Sequence, residues 1–170
     1  VKQLENDKFV KFTKEANILR SCIHPNIVEI IGICKERKWI VTELLECGSL
    51  NNYMADHKLS NSQRVSIGLE IGRAMEYMAS KKIVHCDLAS RNVLIGEPKS
   101  IVKVTDFGLS SVLEFSDTTF IHKTNRQDVP YFWAAPERLP NDIDREAEIR
   151  SSSDVWSFGV LLWEIFTNGK

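Results

Sequence analysis

The 170-residue sequence predicts an α+β fold in two unequal parts, a small strand-rich part followed by a larger, mainly helical one. Three observations carry that prediction. β-branched runs separated by charges fall within the first 45 residues, helical periodicity dominates the remainder of the chain, and a long polar stretch from Thr105 to Pro140 has no period at all.

Lys8 to Ser21 is predicted as a helix because Phe12, Ala16, Leu19 and Ile23 recur at helical spacing, and "HPN" at 24–26 breaks it. "IVEIIGICKE" and "RKWIVTELL" suit an antiparallel pair in a small sheet. The "LLECGSL" connector, with a glycine and no period, marks the internal boundary. A helical region comes after it. "SNSQRVSIGLEIGRAMEYMASKK" then has a Ser/Asn start, a long apolar face and a lysine-rich end, as a helix should. Two short strands, "NVLI" and "IVKV", bracket the polar "GEPKS". Thr105 to Pro140 is expected to be mostly irregular, and a helix from about Asp154 closes the chain.

Composition narrows the function classes. A hydrophobic fraction of 43% and a charged fraction of 26% are those of a globular protein, and a net charge of −1 gives no reason to expect a nucleic-acid or anionic-membrane partner. Cys22, Cys34, Cys47 and Cys86 form no CxxC pair, which suits free thiols in a reducing compartment. Cys22 and His24 lack the second pair that a metal site needs. The longest apolar run, "VWSFGVLLWEIF", is too short for a membrane span and carries Glu164, so it reads as a buried helix. No secretory-signal pattern opens the sequence.

The chemistry concentrates in "HCDLASRN" at 85–92. Asp87 and Asn92 lie five residues apart between a helix and a strand, where a loop can turn both toward one cavity. Fourteen residues beyond Asn92, "DFG" adds Asp106 beside a glycine that permits unusual backbone angles. Asp106 and Asn92 are oxygen ligands suited to Mg²⁺, which binds through one or two carboxylates plus substrate phosphates. Asp87 is then free to accept a proton from a hydroxyl. Each signal alone is weak. HxDLxxxN, DFG and "APE" (Ala135 to Glu137), in that order, are specific together.

This set resembles the protein kinases, and more closely the protein-tyrosine kinases, over essentially the whole chain. "VK" at 1–2 resembles the end of the strand bearing the phosphate-pairing lysine, here Lys2, and Glu15 matches the helix glutamate that pairs with it. "WIVTELL" resembles the strand into the adenine hinge, with Thr42 at the gatekeeper position and Glu43 to Leu45 as hinge backbone; Leu94 resembles the floor of the adenine site. Asp154 matches the central-helix aspartate that holds the catalytic-loop backbone, and Leu19, Ile30, His85 and Phe107 match a hydrophobic spine, which makes His85 a packed core residue. The tyrosine group is indicated by Ala89 with Arg91, where serine/threonine kinases place a lysine two residues after the aspartate. Pro130 and Trp133 match the platform that seats a phenol ring, although Tyr131 and Phe132 depart from the usual apolar-then-basic pair.

The resemblance implies a two-lobed protein-kinase-like fold truncated at both ends, with residues 1–45 as the smaller-lobe part and 46–170 as the larger. It implies transfer of the ATP γ-phosphate to tyrosine hydroxyls of protein substrates. Lys2, oriented by Glu15, would hold the α- and β-phosphates, Asn92 and Asp106 would hold Mg²⁺ or Mn²⁺, Asp87 would be the base, and Arg91 would bridge toward Asp87 and the transferred phosphate. The Gly-rich loop that opens such domains and the helical subdomain that ends them have no counterpart here, so the isolated chain is expected to bind ATP poorly and fold marginally. Most relatives carry arginine where Cys86 stands, and that arginine pairs with a phosphorylated tyrosine. From Leu109 to Val129 this chain has no tyrosine; Phe120 falls near the usual phosphosite, and Ser111 replaces a basic residue after DFG. Three linked changes indicate a kinase not switched by tyrosine phosphorylation. The alternatives are a pseudokinase-like scaffold module and an inactive fragment. The layout, with "HPNIV" and no long insert, resembles cytoplasmic groups such as Fes or Syk.

Overall fold

The computed structural model describes residues 2–98, 101–113, 120–122, 129–139 and 147–168; the side chains of residues 2–8, 120–122, 147 and 148 are outside that description. The chain opens with helix α1 (Lys2–Ser21), then the strands β1 (Ile30–Cys34) and β2 (Trp39–Thr42). Lys2 therefore opens a helix instead of ending a strand. The reason lies in "KQLENDK", which has helix-forming residues and no apolar alternation to sustain a strand. The buried face of α1 is Ala16, Ile18 and Leu19, while Ile23, expected on that face, lies beyond the helix end at 85% exposure. β1 and β2 pair antiparallel, as expected, with Ile33 opposite Ile40 and Cys34 opposite Trp39.

Two helices come next, α2 (Leu50–Asp56) and α3 (Asn61–Ser80). α3 begins with a complete capping box, in which the Ser60 hydroxyl accepts the Gln63 N–H and the Gln63 side chain accepts the Ser60 N–H. Its buried residues Ile67, Ile71, Ala74 and Met78 recur at helical spacing and pack into the main core. The remaining strands are β3 (Ile83–Val84), β4 (Val93–Gly96), β5 (Ile101–Val104), β6 (Ser111–Val112), β7 (Phe120–His122) and β8 (Ala147–Ile149), and they pair antiparallel as β3 with β6, β4 with β5 and β7 with β8. "NVLI" and "IVKV" are thus strands, as expected. Helix α4 (Ser151–Thr167) starts three residues before Asp154 and packs against α3.

The strand-rich start is joined to the helical remainder by the "HPN" turn. Asn26 Nδ2 donates to Glu70 Oε2 on α3 at 2.6 Å and to the Val102 carbonyl on β5 at 3.0 Å. The Val28 N–H reaches the Val104 carbonyl at 3.0 Å, and the Val104 N–H reaches the Asn26 carbonyl at 2.9 Å. The connector is tied as well, through Cys47 N–H to the Ile95 carbonyl at 3.1 Å and Ile95 N–H to the Gly48 carbonyl at 2.9 Å. Gly48 takes φ +71°, the left-handed region that glycine enters at no steric cost. At the far end, buried Arg64 on α3 donates to the Ile165 carbonyl and, at 2.9 Å, to Asn168 Oδ1, satisfying the last turn of α4.

Candidate active site

β3 delivers the chain into the loop 85–92, and a single 3-10 turn (Ser90–Asn92) hands it on to β4. Within that loop Asp87 is held by its own neighbours. Arg91 Nη2 forms an ion pair with Asp87 Oδ1, and Asn92 Nδ2 donates to Asp87 Oδ2 at 2.8 Å and to the Asp87 carbonyl at 2.7 Å. Both donors of the Asn92 amide nitrogen are thereby used, and its amide oxygen is not engaged by either bond. The Asp87 side chain keeps 13% exposure, so it is oriented but reachable.

His85 sits behind it as a fully buried packing residue, its ring centroid 5.2 Å from that of Phe107. The Asp87 N–H donates to His85 Nδ1 at 3.2 Å, so the ring proton is on Nε2, which donates to the Thr105 carbonyl at 3.0 Å. Leu19 and Phe107 are buried in the same core and Ile30 packs against it, so the four expected spine residues lie together. The loop backbone hangs from α4. Asp154 accepts the His85 N–H at 2.7 Å and the Cys86 N–H at 3.0 Å. Burial pushes the Asp154 carboxyl upward, and His85, the two amide donors and Arg138 oppose it.

On the facing turn, Asp106 adopts φ +64°, and its Oδ1 accepts the Gly108 N–H at 3.3 Å. A Cβ on Gly108 would stand 3.2 Å from Asp106 Oδ1 and 3.8 Å from Glu15 Oε2, which places the Glu15 carboxylate against this turn. Burial, and second the negative charge of Asp106, raise the Glu15 carboxyl above its ordinary value. Lys2, its expected partner, opens the same helix about 20 Å away along the axis, so α1 does not bring the two together. Further along, Thr42 and Glu43 end the β1–β2 pair. Glu43 Oε1 binds Lys103 Nζ at 2.5 Å and the Glu29 N–H at 2.7 Å, while buried Leu45 accepts the Gly48 N–H at 3.1 Å. Leu94, bridged to Ser49 and partly buried, lies across β4 from Lys103.

The family model for protein tyrosine and serine/threonine kinase matches residues 1–170. The chain belongs to that kinase family. Tyrosine-protein kinase FRK of Homo sapiens is 36% identical to it over 164 residues, covering 94% of this chain and 31% of that protein. Tyrosine-protein kinase Fer of Homo sapiens is 38% identical over 164 residues, covering 94% of this chain and 19% of that protein. The tyrosine-protein kinase transforming protein Abl of Abelson murine leukemia virus is 39% identical over 179 residues, covering 99% and 22%. The kinase chain thus spans less than a third of the length of each of these relatives. The α+β architecture, with strands before the helical remainder, is that of a kinase domain.

The kinase chain also uses residues that sequence reasoning passed over. Glu164 on α4 accepts the Ser90 N–H at 3.0 Å, the Ser90 hydroxyl at 2.7 Å and the Trp133 indole N–H at 2.9 Å. Trp133 in turn lies under the Arg91 guanidinium, 4.3 Å from ring centroid to Cζ. The expected platform and the 85–92 loop are therefore one connected unit. Pro130 starts the turn that presents Trp133, whose N–H donates to the Pro130 carbonyl at 2.9 Å. A lone carboxylate in an apolar run was the available signal, because a buried charge must be partnered. Arg138, directly after the APE motif, is 2% exposed and donates to the Cys86 carbonyl. Ser111 accepts a hydrogen bond from Lys14 Nζ at 3.2 Å, and Phe120 sits on β7 opposite Ile149. Residues 114–119 and 123–128 of the expected activation segment lie outside the described residues.

Proposed function

We propose that this chain is the catalytic middle of a cytoplasmic protein-tyrosine kinase, with residues 1–45 and 46–170 as its two lobe portions, that transfers the ATP γ-phosphate to tyrosine hydroxyls of protein substrates. The observation that carries the reading is the joined set Asn92–Asp87–Arg91–Trp133, in which the groups that orient a carboxylate also hold an aromatic platform. Such a reaction proceeds mainly by positioning and charge stabilisation. Asp87 accepts the phenol proton, a general-base contribution of about 10²–10⁴-fold. Arg91 holds Asp87 in place and lies on the Trp133 face, so a substrate ring seated beside Trp133 meets the base directly.

The donor set fits a hard divalent cation. Asp106 offers a carboxylate and Asn92 the amide oxygen opposite its two donor bonds, two protein oxygens of the kind Mg²⁺ or Mn²⁺ accepts while keeping phosphate and water as its other ligands. The cation supplies neutralisation of phosphate charge when bound. Thr42, Glu43, Leu45 and Leu94 surround the adenine, and Glu15 stands beside the Asp106 turn. No helix among the described residues is long and apolar enough to cross a membrane.

Cys86, Ser111 and Phe120 support control without activation-loop tyrosine phosphorylation. The test is phosphotransfer by the full-length protein to poly(Glu,Tyr) with Mg²⁺ or Mn²⁺, beside Asp87→Asn. Phosphotyrosine that falls by about 10²-fold or more in the variant supports the enzyme; equal, background-level signal from both supports a scaffold module instead.

A further inference from the structure

Arg138 closes the 3-10 turn Pro136–Arg138 and is almost wholly buried, at 2% exposure. A guanidinium taken out of water needs strong partners. Its Nη1 donates to the Cys86 carbonyl at 2.5 Å, while its Nε has no hydrogen-bond partner among the described residues. That carbonyl belongs to the peptide linking Cys86 to Asp87, so fixing it fixes the backbone from which the Asp87 side chain departs.

Cys86 itself needs such restraint. Its φ is +70°, in the left-handed region, which a residue with a Cβ enters only when its surroundings over-determine it. Asp154 takes the Cys86 N–H and Arg138 takes the Cys86 carbonyl, so both polar ends of this residue are claimed by buried, oppositely charged side chains. The two anchors are themselves joined. Glu137, next to Arg138, accepts the Ser153 hydroxyl at 3.0 Å, and Ser153 is next to Asp154. The hydrogen bonds close a ring through Cys86, Asp154, Ser153, Glu137 and Arg138.

We infer that Arg138 is a positioning residue for Asp87, a permanently buried cation that holds the catalytic loop in its working shape without needing a phosphorylated residue to order it. This rests on the reading of Asp87 as the base. The loop's geometry is then set on folding, and Arg138 acts on turnover, not on nucleotide affinity.

Two substitutions in the full-length protein test this. Arg138→Met keeps volume and removes the donors, and Arg138→Lys keeps one charged donor. The expected result for Arg138→Met is a fall in kcat of about 10²-fold, the scale of a misplaced reacting group, with KM for ATP nearly unchanged. Arg138→Lys should recover part of the loss. Hydrogen exchange, read on peptides covering residues 84–92, should speed up in Arg138→Met while α3 exchanges as before. Wild-type kcat together with wild-type exchange at 84–92 would overturn the inference. So would general loss of protection in Arg138→Met alongside an Arg138→Lys protein with full activity, because Arg138 would then be structural only. If the unsubstituted protein makes no phosphotyrosine, the enzyme reading fails by itself, and exchange at 84–92 still decides whether Arg138 holds the loop.

Discussion

The Cys86 thiol is fully enclosed, and burial pushes it up to about 12, with nearby Asp154 adding and Arg138 opposing. At neutral pH it is therefore a neutral, unreactive group rather than a nucleophile. Mild alkylation of the native protein should modify the partly exposed Cys34 and Cys47 and leave Cys86 untouched until denaturant is added, as peptide mass mapping would read out. Glu15 gives a second expectation. Its carboxyl is raised above 4.5 by burial and then by Asp106, so the folded protein disfavours the charged form. Its stabilising contribution is full below that ordinary value and is lost as pH rises through the raised one. Glu15→Gln should thus gain stability over wild type as pH is raised from 4.5 toward neutrality in urea titrations without nucleotide; a constant difference across that range would contradict the assignment. Asp87, Arg91 and Asn92 were legible in the sequence because their contacts are local, within five residues. Arg138 was not, because its partner lies 52 residues away and no short pattern encodes it.

Among the elements, α4 does more than fill the core. Asp154 and Glu164 hold two stretches of the 85–92 loop, at residues 85–86 and at Ser90. Glu164→Leu would leave the Ser90 N–H, the Ser90 hydroxyl and the Trp133 indole without their acceptor. Each stranded buried donor costs about 1–3 kcal/mol, so the loss should be at least about 3 kcal/mol by chemical denaturation. Peptide phosphorylation should fall with it, since Trp133 would lose its fixed orientation beneath Arg91. A loss under about 1 kcal/mol would show that water replaces these bonds. The helical character of α4 is readable from its apolar run, whereas Glu164 in the sequence argues only against a membrane span. The start of α1 is not readable in the same way, because the apolar spacing supports a helix only from about Lys8 while the helix runs back to Lys2.

Across the whole molecule, the order of strands and helices follows from periodicity, because alternation and helical spacing report burial directly. The joint at "HPN" does not. A breaker motif says that a helix ends, and cannot say that Asn26 will bond to both α3 and β5. The chain also presents sizeable apolar side chains to solvent, among them Val155, Trp156, Trp163 and Phe166 on α4 and Ile31 and Trp39 on the β1–β2 pair. The 170 residues taken alone should therefore self-associate as concentration rises, and a monodisperse monomer in sedimentation experiments would contradict this.

In the proposed kinase, phosphotransfer needs no added phosphate, because the order of the 85–92 loop is built into the fold. The rate at which phosphatase-treated full-length protein phosphorylates tyrosine tests it most directly. That rate should lie within about twofold of the untreated protein's and be abolished by Asp87→Asn, because loop order comes from Asp154 and Arg138 and not from an added phosphate. Activity that disappears with the phosphate and returns on rephosphorylation would contradict it.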